Sequence, residues 1–407
     1  MKRNAIHAGL AAALLLLSVG TANAATIQRK GINAVPDQYI VVLKNDAASR
    51  ATPIRTLAQR LVGTVGGGEV LQNYDHTVRG FSVRLPNAAI EALANNPAIE
   101  RIEEDQFMEL VETQFNAPYN LDRVDQRALP LSGSYSYPAG AGGGVHVYVI
   151  DTGLRASHTD FAGRVGAGRN FAPNRSTLLC TLLGLGCPAP VPTDTTDCNG
   201  HGTHVSGTAV GSTYGAAKGA IVHPVRVFSC GGTTATSTII AGVDWVTANR
   251  QLPAVANLSL GGGVSDTLDQ AVQAMIGSGV VAVVAAGNDN ADACNSSPAR
   301  LPAAITVGAT TSTDARASYS NYGGCLDVFA PGSNVVSASY QNDTGTSTLS
   351  GTSMASPLVA GIVARYLATS AASAAQAEAA LVAASTPNVV TSAGAGSPNR
   401  LVYAAPN

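Results

Sequence analysis

Apolar residues fall into two regimes along this chain, and the change comes near residue 114. Beyond it they gather into short, nearly unbroken runs at 145–150, 222–227, 255–260, 280–285 and 305–309. Runs of that length without polar alternation suit parallel strands covered on both faces. Stretches at 202–209, 237–249, 265–276 and 354–368 read as helices. The alternation predicts an α/β fold on an open, mainly parallel sheet. Active groups in such sheets collect at the carboxyl ends of strands. Asp151 follows the first run and Asn288 the fourth, so both stand at such ends.

Residues 25–113 follow a different rhythm. Residues 39–43 read as a strand, 53–62 as a short helix and 80–85 as an alternating strand. Residues 87–94 are helical, and 99–110 are extended with an acidic interruption at Glu103, Glu104 and Asp105. That β-α-β-α-β order makes a small α+β domain with no catalytic grouping in it. Residues 1–24 have the form of a secretory signal: Lys2 and Arg3, an apolar core at 8–19, then Ala22-Asn23-Ala24. Its apolar run is too short for a membrane anchor. Residues 173–193, with Cys180 and Cys187, read as a surface loop, and the tail from Ala371 as a closing helix and a docked end.

Composition narrows the classes further. The 407 residues are 45% hydrophobic and 12% charged with 43 glycines, which fits a small-residue α/β protein and excludes a disordered or coiled-coil one. A net charge of −2 gives no electrostatic footprint for nucleic acid or an anionic membrane. Monomer is the default expectation. Six cysteines, at 180, 187, 198, 230, 294 and 325, suggest disulfides in an exported chain, and no Cys-x-x-Cys pair argues for zinc.

The candidate chemistry sits in glycine-flanked turns. Gly351-Thr352-Ser353-Met354-Ala355-Ser356-Pro357 puts a serine just before the helix expected from about 354. A hydroxyl there lies near free N–H groups and the positive end of the helix dipole. Alone, Ser353 or Thr352 would be an N-cap. Upstream stand Val149-Ile150-Asp151-Thr152-Gly153, Asn199-Gly200-His201-Gly202-Thr203-His204 and Ala286-Gly287-Asn288. Asp, His and Ser in that order point to a nucleophilic hydrolase. A serine hydroxyl needs a base, an imidazole has the right pKa, and a buried carboxylate fixes the imidazole's tautomer. Asn288 is a neutral donor that, with the Ser353 N–H, suits an oxyanion.

His201 stands out among seven histidines. His7 lies in the leader, His76 in an exposed turn of the first domain, and His146 and His223 inside strand patterns. His158 is a minor rival in a polar turn. His204 could suggest a metal pair, but no His-Glu-x-x-His helix supports a metallohydrolase. An esterase would show Gly-x-Ser-x-Gly and the order Ser, Asp, His, and a non-catalytic scaffold would have a broken triad.

Together these motifs resemble the subtilisin-like serine proteases of the proteinase K group, and within it the aqualysin type, over nearly everything from residue 34. The resemblance implies a three-layer subtilisin-like fold preceded by a ferredoxin-like propeptide. It makes Asp151, His201 and Ser353 the triad and Asn288 the oxyanion donor of a secreted endopeptidase. Ser259, Leu260 and Gly261 would pair with an extended peptide, and Ala285, Ala286 and Gly287 would line the first specificity pocket. Those segments are small and apolar, so broad specificity favouring apolar side chains is expected. Residues 25–113 become an inhibitor-like propeptide that assists folding, occupies the cleft and is cut off near Thr113 and Gln114. In relatives Cys198 pairs with Cys230 and Cys294 with Cys325, which leaves Cys180 for Cys187. Structural calcium, with no catalytic metal, is implied at Asp327 with backbone oxygens of Pro302 and Ala304. A second site would use Asp122, Asp125 and Gln126, although Ser132 and Ser134 stand where some relatives carry acidic or amide ligands. Leu358 replaces a histidine common after the Ser-Pro of the nucleophile motif.

Overall fold

The computed structural model describes residues 24–30, 34–46, 51–106, 110–172 and 189–405. The expected leader, apart from Ala24, and both Cys180 and Cys187 of the 173–193 segment lie outside the described residues. The chain divides into two compact units, Met1–Phe107 and Met108–Asn407.

The leading unit contains β1 (Thr26–Gln28), β2 (Ala34–Leu43), α1 (Ile54–Gly63), β3 (Glu69–Tyr74), β4 (Gly80–Arg84), α2 (Asn87–Ala94) and β5 (Ile99–Gln106). Its sheet has the order β1-β5-β2-β4-β3, with only β1 and β5 parallel. Leu57 and Leu61 of α1 and Ile90 and Leu93 of α2 share one core with Val41, Phe81, Val83 and Ile102. The apolar pattern predicts neither β1 nor β3. β3 is an edge strand whose Glu69, Gln72 and Asn73 are exposed, so it carries no clean alternation. The acidic interruption has partners: Glu104 accepts from Arg29 at 2.8 Å and from the Lys30 N–H at 2.7 Å.

The second unit starts with β6 (Val111–Phe115), α3 (Tyr119–Val124), β7 (Ser134–Pro138), β8 (His146–Asp151) and β9 (Arg169–Asn170). There follow α4 (His201–Val210), β10 (Ile221–Arg226), α5 (Thr236–Asn249), β11 (Ala254–Leu258), β12 (Gly262–Gly263), α6 (Asp266–Gly277) and β13 (Val280–Ala285). The chain closes with β14 (Ser296–Ser297), β15 (Ile305–Thr310), β16 (Val328–Pro331), β17 (Val335–Ala338), β18 (Thr346–Leu349), α7 (Thr352–Thr369), α8 (Ala374–Ala384), β19 (Thr386–Pro387) and β20 (Arg400–Leu401).

Nine strands form one sheet, β19-β20-β16-β15-β13-β11-β8-β10-β9, parallel throughout except for β19 against β20. Successive side chains on a strand point to opposite faces, and here both faces are covered. Val147 and Val149 of β8 and Val281 and Val283 of β13 pack with α4 and α7. Tyr148 and Ile150, with Val280, Ala282 and Val284, pack with α5 and α6 on the other face. That burial on two sides is why the strands read as continuous apolar runs. The connection through α4 takes the chain to one side of β8, and the one through α5 brings it back to the other. The carboxyl ends of β8 and β11 therefore flank a topological switch point.

α7 begins at Thr352, two residues before the expected start, so Ser353 lies in the first helical turn. Cys198 is bonded to Cys230 and Cys294 to Cys325, at sequence separations of 32 and 31. Among the described residues no single helix is long and apolar enough to cross a membrane. Replacing Cys198 and Cys230 together by Ser is expected to lower unfolding stability by about 3–4 kcal/mol, from the length of the loop released. Urea denaturation of the purified variant beside wild type measures this.

Candidate active site

Asp151 ends β8 with its side chain only 1% exposed. His201 Nδ1 donates to its Oδ1 at 2.8 Å and lies 3.0 Å from Oδ2, and the Thr152 N–H donates to Oδ1 at 2.7 Å. A proton on Nδ1 leaves the lone pair on Nε2, the atom that a general base must present. His201 is the first residue of α4, and Gly200 before it has φ 110°. A Cβ at Gly200 would come within 2.6 Å of the Tyr340 ring, so the turn accepts glycine alone. Burial by itself disfavours the charged imidazole. The charge and hydrogen bond of Asp151, then the charge of Asp197, outweigh it and hold the His201 pKa above the ordinary 6.5.

Ser353 is the second residue of α7, where N–H groups have no intrahelical partner. Its hydroxyl donates to the Ser259 carbonyl oxygen at 3.4 Å, a weak contact. Pro357 lies inside the same helix and has no N–H to give the carbonyl four residues earlier, which is that of Ser353. The Ser259 hydroxyl takes that carbonyl instead, at 2.8 Å. Asn288 is tied to the same turn, its Oδ1 accepting from the Thr352 N–H at 2.9 Å and the Thr352 hydroxyl at 3.0 Å. With Oδ1 so occupied, the Nδ2 donor is what Asn288 can offer a substrate oxygen.

Ser259 and Leu260 leave β11 buried, while Gly261 is exposed. Ala285 closes β13, and Ala286 and Gly287 lead into Asn288, the Gly287 N–H donating to the Thr352 hydroxyl at 3.2 Å. The motifs give no sign of Asn321, which organises this turn. It is 1% exposed, accepts from the Asp289 and Ala291 N–H groups at 3.0 and 2.9 Å, and donates to the Ala286 carbonyl at 2.9 Å. Its partners lie 30 to 35 positions away, beyond the reach of a local motif.

Among the other histidines, His146 Nδ1 and His223 Nε2 share a hydrogen bond at 2.9 Å. His158 caps a short turn through Nδ1, with Nε2 2.9 Å from the Gly345 carbonyl. His204 donates from Nε2 to the Val335 carbonyl at 3.0 Å, and burial pushes its pKa down to about 4. Each has a structural place apart from Asp151.

Of the calcium candidates, Asp327 accepts from the Thr306 N–H at 2.8 Å, beside the turn that holds Pro302 and Ala304. Burial pushes it up to about 7. Asp122 accepts from the Ser132 N–H and hydroxyl at 3.0 and 2.9 Å and from the Gly133 N–H at 2.7 Å. The Ser132 N–H also reaches Gln126 Oε1 at 3.1 Å, so these two side chains converge on one loop. Asp125 accepts from the Ser136 N–H at 2.6 Å, its Oδ1 is buried without a hydrogen bond, and burial pushes it up to about 6. Among the described residues no three His, Cys, Asp or Glu side chains form a metal-holding group.

Residues 142–402 match the subtilase family and residues 38–111 the peptidase inhibitor I9 family. An extracellular serine proteinase of Thermus sp. (strain Rt41A) is 46% identical, covering 99% of each chain. Alkaline serine exoprotease A of Vibrio alginolyticus is 46% identical over 91% of this chain and 68% of its own. The crystal structure of a cold adapted subtilisin-like serine proteinase superposes with a TM-score of 0.64 at 48% identity, covering 71% of this chain and 98% of that one. If His201 must be neutral to act as a base, kcat/KM for a peptide substrate falls on the acid side with an apparent pKa above 6.5. A pH–rate profile of the free enzyme measures it, and a limb at or below 6.5 would contradict the electrostatics described.

Proposed function

The chain belongs to the subtilase family, whose members are serine proteinases, and we propose that it is an exported endopeptidase with Ser353 as nucleophile. The observation that carries the assignment is the Asp151–His201 couple, 2.8 Å long and held on a buried carboxylate. His201 Nε2 takes the Ser353 proton as the hydroxyl oxygen attacks the peptide carbonyl. Asn288 Nδ2 and the Ser353 N–H hold the oxyanion. His201 then protonates the leaving amine, and water, activated by the same imidazole, releases the acyl group and frees the serine.

The substrate is an extended stretch of protein that adds a strand along Ser259, Leu260 and Gly261. The residue before the cut enters a pocket formed by Ala285, Ala286 and Gly287. Small apolar walls without a buried acid give broad specificity with an apolar preference. Residues 1–24 direct export. Residues 25–113 are a propeptide that assists folding and inhibits the enzyme, in keeping with the I9 match. The cut falls near Thr113 and Gln114, both on β6, which pairs with β7.

The same reading assigns a structural calcium to both candidate sites. Asp327 is a carboxylate that burial leaves short of counter-charge, and Asp125 has an oxygen with no partner. Pro302 and Ala304 would add backbone oxygens to the first, and Asp122 and Gln126 side-chain oxygens to the second. Hard cations favour such all-oxygen sets, and bound calcium would neutralise these carboxylates.

The intact mass of the secreted protein, wild type beside Ser353→Ala, tests the central assignment. Wild type is expected to be trimmed near residue 113, while Ser353→Ala keeps residues 25–113. Equal trimming of both would show that Ser353 does not cut its own precursor. For calcium, EGTA is expected to lower the Tm of wild type and to lower it less in Asp327→Asn. Identical EGTA shifts in the two proteins would remove Asp327 from the ion's ligands.

A further inference from the structure

Two loops must meet for Asp151 to face His201: the one leaving β8 and the one entering α4. The carboxylate of Asp197 lies between them, 5% exposed. Its Oδ1 accepts from the Asn199 N–H at 2.9 Å and the Gly200 N–H at 2.8 Å, the two amides just before His201. Its Oδ2 accepts from the Thr203 N–H at 2.9 Å and the Thr203 hydroxyl at 2.6 Å, on the first turn of α4. A fifth bond crosses to the other loop, where the Thr152 hydroxyl donates to Oδ1 at 3.0 Å. That hydroxyl in turn accepts the Gly202 N–H at 2.8 Å. Gly202 packs so closely that a Cβ there would lie 2.3 Å from the Gly153 carbonyl oxygen.

A buried carboxylate that takes five hydrogen bonds from N–H and O–H groups, with the charge of buried Arg226 acting on it as well, is an unusual use of charge where a turn alone is needed. A serine or asparagine could cap the helix. Neither could accept five bonds from three directions. We infer that Asp197 is a positioning residue for the reaction, fixing His201 against Asp151 through the Thr152 bridge and adding a second negative charge behind the imidazole.

Among the described residues, the titratable groups whose charges act on His201 are Asp151 on β8, Asp197 in the loop before α4, and His204 on α4 itself. Removing the Asp197 charge therefore makes the His201 cation easier to discharge. The inference rests on the triad assignment above, and its test separates the two.

The full-length chain is expressed as wild type, Asp197→Asn, Thr152→Val, Thr152→Ser and Ser353→Ala. Rates are normalised to active sites by burst titration, so that misfolded enzyme does not count. Asp197→Asn is expected to lose about 10²-fold in kcat through misplacement of the base. Its acid limb in kcat/KM should move to lower pH. Thr152→Val is expected to lose about tenfold in kcat with KM little changed and the limb in place, and Thr152→Ser to restore the rate. A purely structural role would lower the yield of active sites and leave both kcat per site and the limb where they are. That result in Asp197→Asn overturns the inference. If Asp197→Asn yields no folded enzyme, the Thr152 pair decides: a wild-type rate in Thr152→Val, or no rescue by Thr152→Ser, overturns it. A still-active Ser353→Ala would instead remove the triad assignment on which the inference stands.

Discussion

A carboxylate almost without access to water stands at the end of β8, and the second unit is arranged to keep it useful. An isolated charge there would cost many kcal/mol. For Asp151 the hydrogen bonds of the Thr152 N–H at 2.7 Å and the His201 ring at 2.8 Å offset that cost. The sheet faces offer such a charge little, because both are filled mostly with Val, Ile, Leu and Ala against helices. Only the strand end, where a side chain can leave the core and find backbone donors, allows it.

The turn that bears Ser353 is fastened by a second polar chain that is almost wholly buried. The Ser356 hydroxyl donates to Asn257 Oδ1 at 2.8 Å, Asn257 Nδ2 to the Ser259 hydroxyl at 2.9 Å, and that hydroxyl to the Ser353 carbonyl at 2.8 Å. Pro357 makes the last bond possible by leaving that carbonyl without its helical donor. β11, which leads to the proposed substrate strand, and α7, which bears the proposed nucleophile, are thus tied at the point where geometry matters most. Fully satisfied buried networks of this kind hold one conformation, which suits donors that must already be in place as charge develops.

The two disulfides serve the same region. Cys198 lies three residues before His201, and its bridge to Cys230 holds the entry to α4 near the end of β10. Cys294 follows the turn organised by Asn321 and is tied to Cys325, in the loop that carries Asn321. With few charges to spend on ion pairs, the chain constrains its functional loops covalently and by buried hydrogen bonds.

Much of this was legible from the sequence alone. Parallel strands buried on both faces leave unbroken apolar runs, so the sheet, its helices and the strand-end positions of Asp151 and Asn288 followed from local pattern. The glycine-flanked turns around His201 and Ser353 marked the candidate groups, and around His201 the close approach of Gly200 and Gly202 to their neighbours demands glycine. The edge strand β3 escaped because half-exposed residues leave no periodicity, and α7 started early because Thr352 gains its partner from Asn288, 64 residues away. Asp197 and Asn321 look like ordinary turn residues in the chain. Their value comes from partners on other segments: Thr152, 45 positions from Asp197, and Ala286, 35 from Asn321. A sequence displays what each short segment prefers. Which distant N–H or hydroxyl meets a given side chain is decided only when packing of the whole core brings the segments together.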